Sequence, residues 1–540
     1  MAQPFDENPK VAGGNGGERV VTDSKDDREK GVAWENDLNI AGEDATLVLL
    51  TDLHHHPSYD AAISAKCLCR ADAAGSPREL CKADSAPYGR LGCNAPSSLV
   101  DLSLKAAAKE EPQLWLILGD LADHWANQPT DSPYPPKAPG FTTFSDTLRR
   151  VGEASGGRCA LALGNNDVFP SYGVDFTKKD FYLSEAMELK KHCQIPADAF
   201  LTLKRYFYYS MKLGDKMSIL FLNTVIYASV KKDLHASEAS DPFGQFGWLE
   251  DQLKRAVKAE TKVYIAGHIP PVLSSYSSTD LWQKKFVVMY WHLMSTYREV
   301  IAGQFFSHIH RDEFRVVDLK DSSPPLMLFA SVSPVRDNNP AFYKLQLRKG
   351  QLSKIQGFWA DLSKETPEFT REYSAPPSLV ESLSNLAYRD LAFSFTDGSD
   401  EGEEKWQKFF AQSAVQRLGT TLCDNVTKFD AVSCSECIGQ CRERAVCTLL
   451  YGISASSKQY CVEDQLWKKH QELKATEELM TVAEVLLFSV ALLILGLCYL
   501  QYRRCKARRR RIGEDLSLAG QVELGPVDES NESNESNAAA

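Results

Sequence analysis

Short apolar runs recur between residues 45 and 360 of this 540-residue chain. They are Ala45–Asp52, Leu114–Leu118, Ala160–Leu163, Ser218–Leu222, Val263–Ala266, Ile301–Phe306 and Leu326–Phe329. Most end in a small or polar residue followed by Gly, Asp, Asn or His. Runs of this length with such ends predict buried strands. Helical periodicity lies between some of them. In 248–260, Trp248, Leu249, Leu253 and Val257 form one stripe with charges opposite, which predicts an amphipathic helix. The pattern predicts an α/β fold: a β-sandwich flanked by helices, with chemistry on loops at the strand ends.

The flanks read differently. Residues 1–44 are rich in Gly and charge (GGNGGE, SKDDREKG) and predict a disordered segment. A catalytic domain is expected over 45–360. Residues 361–479 carry Cys423, Cys434, Cys437, Cys441, Cys447 and Cys461, with a predicted helix at 403–418. They predict a small helical, cysteine-bridged subdomain. The Cys434, Cys437, Cys441 spacing also suits a zinc knot, but no matching His lies close by. The pairing is not deducible from sequence. Cys67, Cys69, Cys81 and Cys93 are a second even cluster, also expected to be bridged. Residues 480–502 form an apolar segment of membrane-spanning length. Arg503, Arg504, Lys506 and Arg508–Arg511 follow and mark a cytoplasmic flank. Residues 503–540 are then a basic, finally low-complexity tail, and Cys498 and Cys505 are possible palmitoylation positions.

Composition sharpens this picture. Hydrophobic residues make up 43% and charged residues 25%, which excludes a fibrous or wholly disordered chain. A formal charge of −11 disfavours a nucleic-acid partner. The start, MAQPFDENPK, offers neither a basic nor an apolar leader region. Three other signals agree with one another: the basic flank, the cysteine clusters and the sequon Asn425-Val426-Thr427. They place residues 1–479 in a lumenal (lysosome- or vacuole-like) or extracellular space, with Asn425 glycosylated.

Five segments carry chemistry: Asp52-Leu53-His54, Gly119-Asp120, Gly164-Asn165-Asn166-Asp167, Gly267-His268 and His308-Ile309-His310. Four directly follow a predicted strand and the fifth closes one, so their side chains can meet on one rim. In an extended Asp-x-His, alternate residues point the same way, which lets Asp52 and His54 share one metal. His308 and His310 stand in the same relation. Asp120 can bridge two ions, and Asn165 adds a neutral oxygen. Two divalent ions so held lower the pKa of a bridging water and clamp a phosphoryl oxygen, the equipment for phosphoester hydrolysis. Asp167 is expected to orient a neighbouring ligand. His55 and His56 read as solvated loop residues, and Tyr59 and Trp125 as packing residues.

This ordered set resembles the calcineurin-like metallophosphoesterase superfamily. Further segments narrow the resemblance to its acid sphingomyelinase-like and endopolyphosphatase branch. They are Tyr88–Asn94, Gly119–His124, Gly267-His268-Ile269-Pro270-Pro271, Ala302–Phe314 and Asn338–Phe342. The resemblance implies Asp52, His54, Asp120 and His310 for one metal, and Asp120, Asn165, His268 and His308 for the other. It implies zinc as the ion and His124 as proton donor to the leaving oxygen. The attack of a metal-bridging hydroxide on a phosphodiester or phosphoanhydride is also implied. The substrate would be a phospholipid, a nucleotide or polyphosphate. Two positions depart from the pattern. Ser307 replaces a Gly, a small change. Asn166 replaces a catalytic His and is unable to exchange a proton near neutral pH; an Asn there is the form of the endopolyphosphatase-like members. The paired His308 and His310 match the sphingomyelinase-like ones. A non-catalytic ectodomain on the same fold is the competing class.

Overall fold

A computed structural model of the chain describes residues 44–70, 78–124, 139–178, 180–230, 240–275, 277–316, 325–373, 384–418, 421–423 and 434–519. The segment 1–43, Trp125, the sequon at Asn425 and the tail from 520 onward lie outside the described residues.

Each apolar run read from the sequence contributes a strand. In chain order the strands are β1 Ala45–Leu50, β2 Leu114–Ile117, β3 Cys159–Leu161, β4 Tyr209–Lys212, β5 Met217–Phe221, β6 Lys262–Ala266, β7 Ile301–Phe306, β8 Glu313–Arg315, β9 Leu326–Leu328, β10 Ala341–Arg348, β11 Gln351–Ala360 and β12 Phe369–Tyr373. They form two six-stranded sheets, ordered β12-β11-β10-β1-β2-β3 and β4-β5-β6-β7-β9-β8. In the first, β1, β2 and β3 run parallel, and β10 to β12 add antiparallel strands. In the second, β5, β6, β7 and β9 run parallel. Parallel strands are covered on both faces, so they read as unbroken apolar runs. Strand β10 instead alternates, with Leu345 and Leu347 buried between half-buried Lys344 and Gln346. No unbroken apolar run therefore marks the second half of β10. Strand β12 carries the sheet to Tyr373, past the expected domain end at 360.

The sheets pack face to face. Phe221, Tyr264, Ala266, Phe305 and Met327 point from the second sheet into a core shared with Leu47, Leu49, Leu116 and Tyr343 of the first. Their neighbours Leu220, Val263, Ile265, Phe306 and Leu328 face the other way, onto the helices Gln245–Ala259 and Lys284–Thr296. The first of these helices is the one expected over 248–260. Its buried stripe is Phe246, Leu249, Leu253 and Ala256, while Val257 is exposed. The expected stripe was therefore one position out of phase.

The cysteine-rich region is helical, as expected, apart from a two-stranded parallel sheet of Thr421–Cys423 and Cys434–Cys437, and is not a separate core. Tyr388, Trp406, Phe409, Leu449 and Leu450 join the main cluster. Backbone bonds tie it to the sheets: Asp312 donates to Ser413 (3.1 Å), Val316 to Leu449 (2.9 Å) and Leu273 to Gly452 (2.7 Å). Disulfides link Cys423–Cys434, Cys437–Cys441 and Cys447–Cys461, so the zinc-knot reading is set aside. The N-terminal cluster pairs as Cys67–Cys81 and Cys69–Cys93. The structure adds Cys159–Cys193, which no sequence cluster signalled. Cys498 and Cys505 are free and exposed. They lie on a helix, Leu466–Ala519, whose stretch Leu479–Arg511 contains an 18-residue segment of mean hydropathy 2.4, apolar enough to cross a membrane.

Candidate metal centre

All seven expected ligands come together where the carboxyl ends of parallel strands from both sheets meet. β1 delivers Asp52 and His54, β2 delivers Asp120, and β3 leads to Asn165. From the second sheet, β6 delivers His268 and β7 leads to His308 and His310. Open parallel sheets place ligands at such ends as a rule. The route differs from the expected one, however. Asp52 (φ 48°), His54 (φ 41°), Asp120 (φ 55°), His308 (φ 74°) and His310 (φ 58°) are left-handed rather than extended. Side chains converge because the chain turns sharply at each ligand. The strain of each such residue is on the order of 1–2 kcal/mol. Cross-loop bonds hold the turns: Asp52 N–H donates to Gly119 (3.0 Å), His54 to Asp120 (2.9 Å) and His55 to Leu121 (2.9 Å).

The two glycines of Gly119-Asp120 and Gly164-Asn165 are explained by contact. Gly119 has φ +90°, and a Cβ on it would lie 2.6 Å from the Gly164 nitrogen. A Cβ on Gly164 would collide with the Asp120 backbone and carboxylate. Asp167 then knits the two loops. It accepts from the N–H of Gly164 (2.9 Å), Asp120 (2.8 Å) and Leu121 (2.7 Å).

The donor set has the character of a metal site. His54 donates Nδ1–H to the Ala122 carbonyl (3.1 Å), which leaves its Nε2 lone pair bare. That Nε2 lies 3.2 Å from His310 Nε2, 3.7 Å from Asp52 Oδ1 and 3.6 Å from Asp120 Oδ2. His268 likewise donates Nδ1–H to the Leu118 carbonyl (2.6 Å). Its bare Nε2 lies 3.3 Å from Asp120 Oδ2, 3.1 Å from Asn165 Oδ1 and 3.2 Å from His308 Nδ1. Buried acceptors thus face buried acceptors in two groups that share Asp120. Burial alone would penalise this arrangement, and a cation in each group reverses the sign. The residues present fit two ions.

Proton affinities carry the same strain. His308 and His310 are held down, to about 3 and about 4, by burial and by neighbouring charges. Burial lowers His268 too, but the adjacent Asp120 carboxylate more than offsets it and pushes the group up to about 9. Burial raises Asp52, yet His310 and His54 hold it well below the usual range.

The remaining expected residues fall close by. His124 stacks on His54, with ring centroids 3.9 Å apart, and its Nδ1 meets Asn94 Oδ1 (2.9 Å). Burial, then the charges of His54 and His310, keep its proton affinity well below the ordinary value. Asn166 turns onto Asp120: its N–H reaches Oδ1 (2.7 Å) and its Nδ2 reaches Oδ2 (2.8 Å). Ser307 donates to the Leu118 carbonyl (3.1 Å) beside His268 Nδ1. His55 and His56 are buried, which corrects the expected solvated loop. His55 bonds Thr147 and Ser97 (both 2.8 Å), and His56 pairs with Asp123. Tyr59 donates to the Ala86 carbonyl (3.0 Å). Sequence reasoning missed Thr51, which donates to Asp52 Oδ2 (2.8 Å), and Tyr172, whose ring stands edge-on to His308. Asn94, which ends the Tyr88–Asn94 segment, was likewise missed, and it is the partner of His124.

Comparison with known proteins agrees with this geometry. The family model for calcineurin-like phosphoesterases matches residues 45–312. A "Sphingomyelinase phosphodiesterase D" of Dictyostelium discoideum is 31% identical over 209 residues, covering 37% of this chain and 47% of its own. The mouse "Cyclic GMP-AMP phosphodiesterase SMPDL3A" is 26% identical over 306 residues, covering 52% of this chain and 67% of its own. The human "Acid sphingomyelinase-like phosphodiesterase 3b" is 27% identical over 308 residues, covering 52% and 65%. The match therefore spans about half the length of the first relative and about two thirds of the others. Among solved structures, a dimetal phosphatase from Danio rerio covers 60% of this chain at 12% identity and TM-score 0.36, too distant a likeness to carry an argument.

Proposed function

Because this chain belongs to the calcineurin-like phosphoesterase family, in its acid sphingomyelinase-like branch, we propose that it is a metal-dependent phosphoric ester hydrolase anchored in a membrane by one C-terminal helix. The observation that carries this reading is the convergence of bare imidazole nitrogens on buried carboxylates around Asp120. We assign Asp52, His54, Asp120 and His310 to one ion, and Asp120, Asn165, His268 and His308 to the other. A mixed imidazole and oxygen set suits zinc. Two such ions, when bound, lower the pKa of a water and neutralise phosphoryl oxygens.

The chain's own residues do the rest. Asn166 holds both oxygens of Asp120 and so fixes the carboxylate that serves both groups. Asp167 fixes the loops that carry Asp120 and Asn165. His54 and His268 are locked in one tautomer by backbone carbonyls. His124, steadied by Asn94, lies over His54, where it can hydrogen-bond the leaving oxygen and give it a proton.

Membrane anchoring is supported by the exposed apolar flank of the long helix: Leu487, Phe488, Leu493 and Leu495 are all more than half exposed. Residues 480–502 would be about 35 Å of helix, enough to span a bilayer core. The disulfides on the N-terminal side and the arginine block after the span support a lumenal or extracellular catalytic domain, ahead of a cytoplasmic tail. The test is a substrate panel on the purified chain in detergent: sphingomyelin, nucleoside triphosphates, cyclic dinucleotides, polyphosphate and bis(p-nitrophenyl) phosphate, each with and without chelator. Chelator-sensitive, zinc-restored turnover of a phosphoester supports the proposal. A metal-replete protein inert on the whole panel refutes it and favours a non-catalytic ectodomain.

A further inference from the structure

Three stretches of chain meet beside His54: residues 54–56 after β1, the pair Asn94 and Ala95, and residues 120–123 after β2. Ala95 N–H donates to the His54 carbonyl (3.1 Å), and His56 N–H returns to the Ala95 carbonyl (2.8 Å). On the other side, the N–H groups of His54 and His55 donate to Asp120 and Leu121 (both 2.9 Å), with a bridge from His55 to Ala122. This ladder fixes the second loop as far as Ala122. His124 lies two residues further on, and side chains fasten that end. Asn94 Oδ1 meets His124 Nδ1 (2.9 Å), and the His56 imidazole donates Nδ1–H to the Asp123 carboxylate. His56 and Asp123 are 4% and 3% exposed, so water competes little for their bond. With Nδ1 so engaged, His56 Nε2 is a buried acceptor that reaches no partner among the described residues. An orphaned acceptor costs stability, so packing alone does not account for an imidazole here.

We propose that His56 is a positioning residue for the hydrolysis: through Asp123 it holds His124 over His54, where His124 protonates the leaving oxygen. This rests on the hydrolase reading above and on the role given there to His124. In the step, a water oxygen bonds to phosphorus as the bridging P–O bond breaks. The electron pair of that bond stays on the leaving oxygen, which takes the proton of His124. The water's own proton passes to solvent, and solvent reprotonates His124. The His124 ring is stacked on that of His54 at 3.9 Å, tilted by 23°. Asn94 fixes one atom of the ring, and a ring held at one atom can still swing. Asp123 directly precedes His124, so tying down its side chain fixes the backbone from which the ring projects. A misplacement of about 1 Å in such a group costs up to about 10²-fold in rate.

The test measures kcat for an alkyl phosphodiester of the panel above and for bis(p-nitrophenyl) phosphate, using the full chain in detergent, with bound metal checked. The variants are His56→Ala, His124→Ala, the two combined, and His56→Asn, which keeps an N–H close to the place of Nδ1. In His56→Ala we expect the alkyl ester to slow about 10–100-fold and the p-nitrophenyl ester less than about threefold, with metal retained. His56→Asn should recover most of that loss. In the combined variant the His56 change should add less than about twofold to the loss in His124→Ala, because both act on one proton transfer. Equal slowing of the two esters, loss of metal, no recovery in His56→Asn, or multiplication of the two separate losses overturns the proposal. If His56→Ala does not fold, Asp123→Asn takes its place in the same comparisons. A wild type that cleaves the p-nitrophenyl ester but no alkyl ester keeps the hydrolase reading, and one that cleaves neither ends it. In either case crystal structures of wild type and His56→Ala decide the positioning claim. A His124 ring displaced from His54 by about 1 Å or more supports it, and an unmoved ring refutes it.

Discussion

Glu185 offers a test of the fold's burial logic away from the metal ligands. It sits in the first turn of the helix Leu183–His192, is 2% exposed, and its Oε2 has no hydrogen-bond partner. Burial, together with the charge of Asp167, pushes its carboxyl from 4.5 up to about 8. The folded value lies above the unfolded one, so the native state binds this proton more tightly. The stability linked to it is full below about pH 4.5, falls as pH rises, and stops falling above about pH 8. At about 1.4 kcal/mol per pH unit, the loss between pH 4.5 and pH 7 is about 3 kcal/mol. His55, pushed down to about 4 by burial, acts in the opposite sense between about pH 4 and 6.5, so wild type alone is uninformative. The comparison with Glu185→Gln isolates the carboxyl, because an amide mimics its protonated form. Urea unfolding of the full chain in detergent, followed by tryptophan fluorescence near pH 5 and near pH 7, is the assay. The Gln variant should gain about 2–3 kcal/mol over wild type at the higher pH relative to the lower. A difference that does not change with pH would refute the reasoning, since it would mean Glu185 is ionised in the native state or reaches solvent.

Further expectations follow from particular contacts. Gly164→Ala should cost about 1–3 kcal/mol of stability and most of the turnover, because its Cβ strikes Asp120; a variant with normal unfolding and activity contradicts that close approach. Thiol labelling of the unreduced, denatured chain should find Cys498 and Cys505 and none of the other twelve cysteines; label on Cys159 or Cys193 would break the pairing described. His124→Ala should slow alkyl phosphodiesters about 10²–10⁴-fold and p-nitrophenyl esters far less, with metal content intact. Equal slowing of both sinks the acid role, and loss of metal would make His124 a ligand.

The sequence made the site more legible than the frame around it. Asp52, His54, Asp120, Asn165, His268, His308 and His310 stood out because strand ends and metal-ligand residue types coincide at them. The geometry that joins them was not legible. Alternation along an extended segment suggested that Asp52 and His54 point together, whereas left-handed turns achieve the convergence; Asp and His adopt such φ values more often than most residues, but still in a small minority of cases. Periodicity found the continuous runs of β1, β2 and β5 to β7 but not β10, where half-buried Lys344 and Gln346 alternate with buried leucines. The helix 245–259 was placed but rotated, because Trp248 and Val257 fit an apolar stripe as well as Phe246 and Ala256 do. His55 and His56 were misread because two adjacent histidines after a strand suggest a solvated loop, while Thr147, Ser97 and Asp123, which hold them inside, are distant in sequence.

The central claim is that Asp120 serves two ions at once. Elemental analysis of the purified chain, paired with phosphodiester turnover, tests it most directly in wild type and Asp120→Asn. The account predicts about two divalent ions per wild-type chain, and in Asp120→Asn the loss of at least one ion with a fall in turnover of about a thousandfold or more. Asp120→Asn protein that retains both ions and full activity would contradict it.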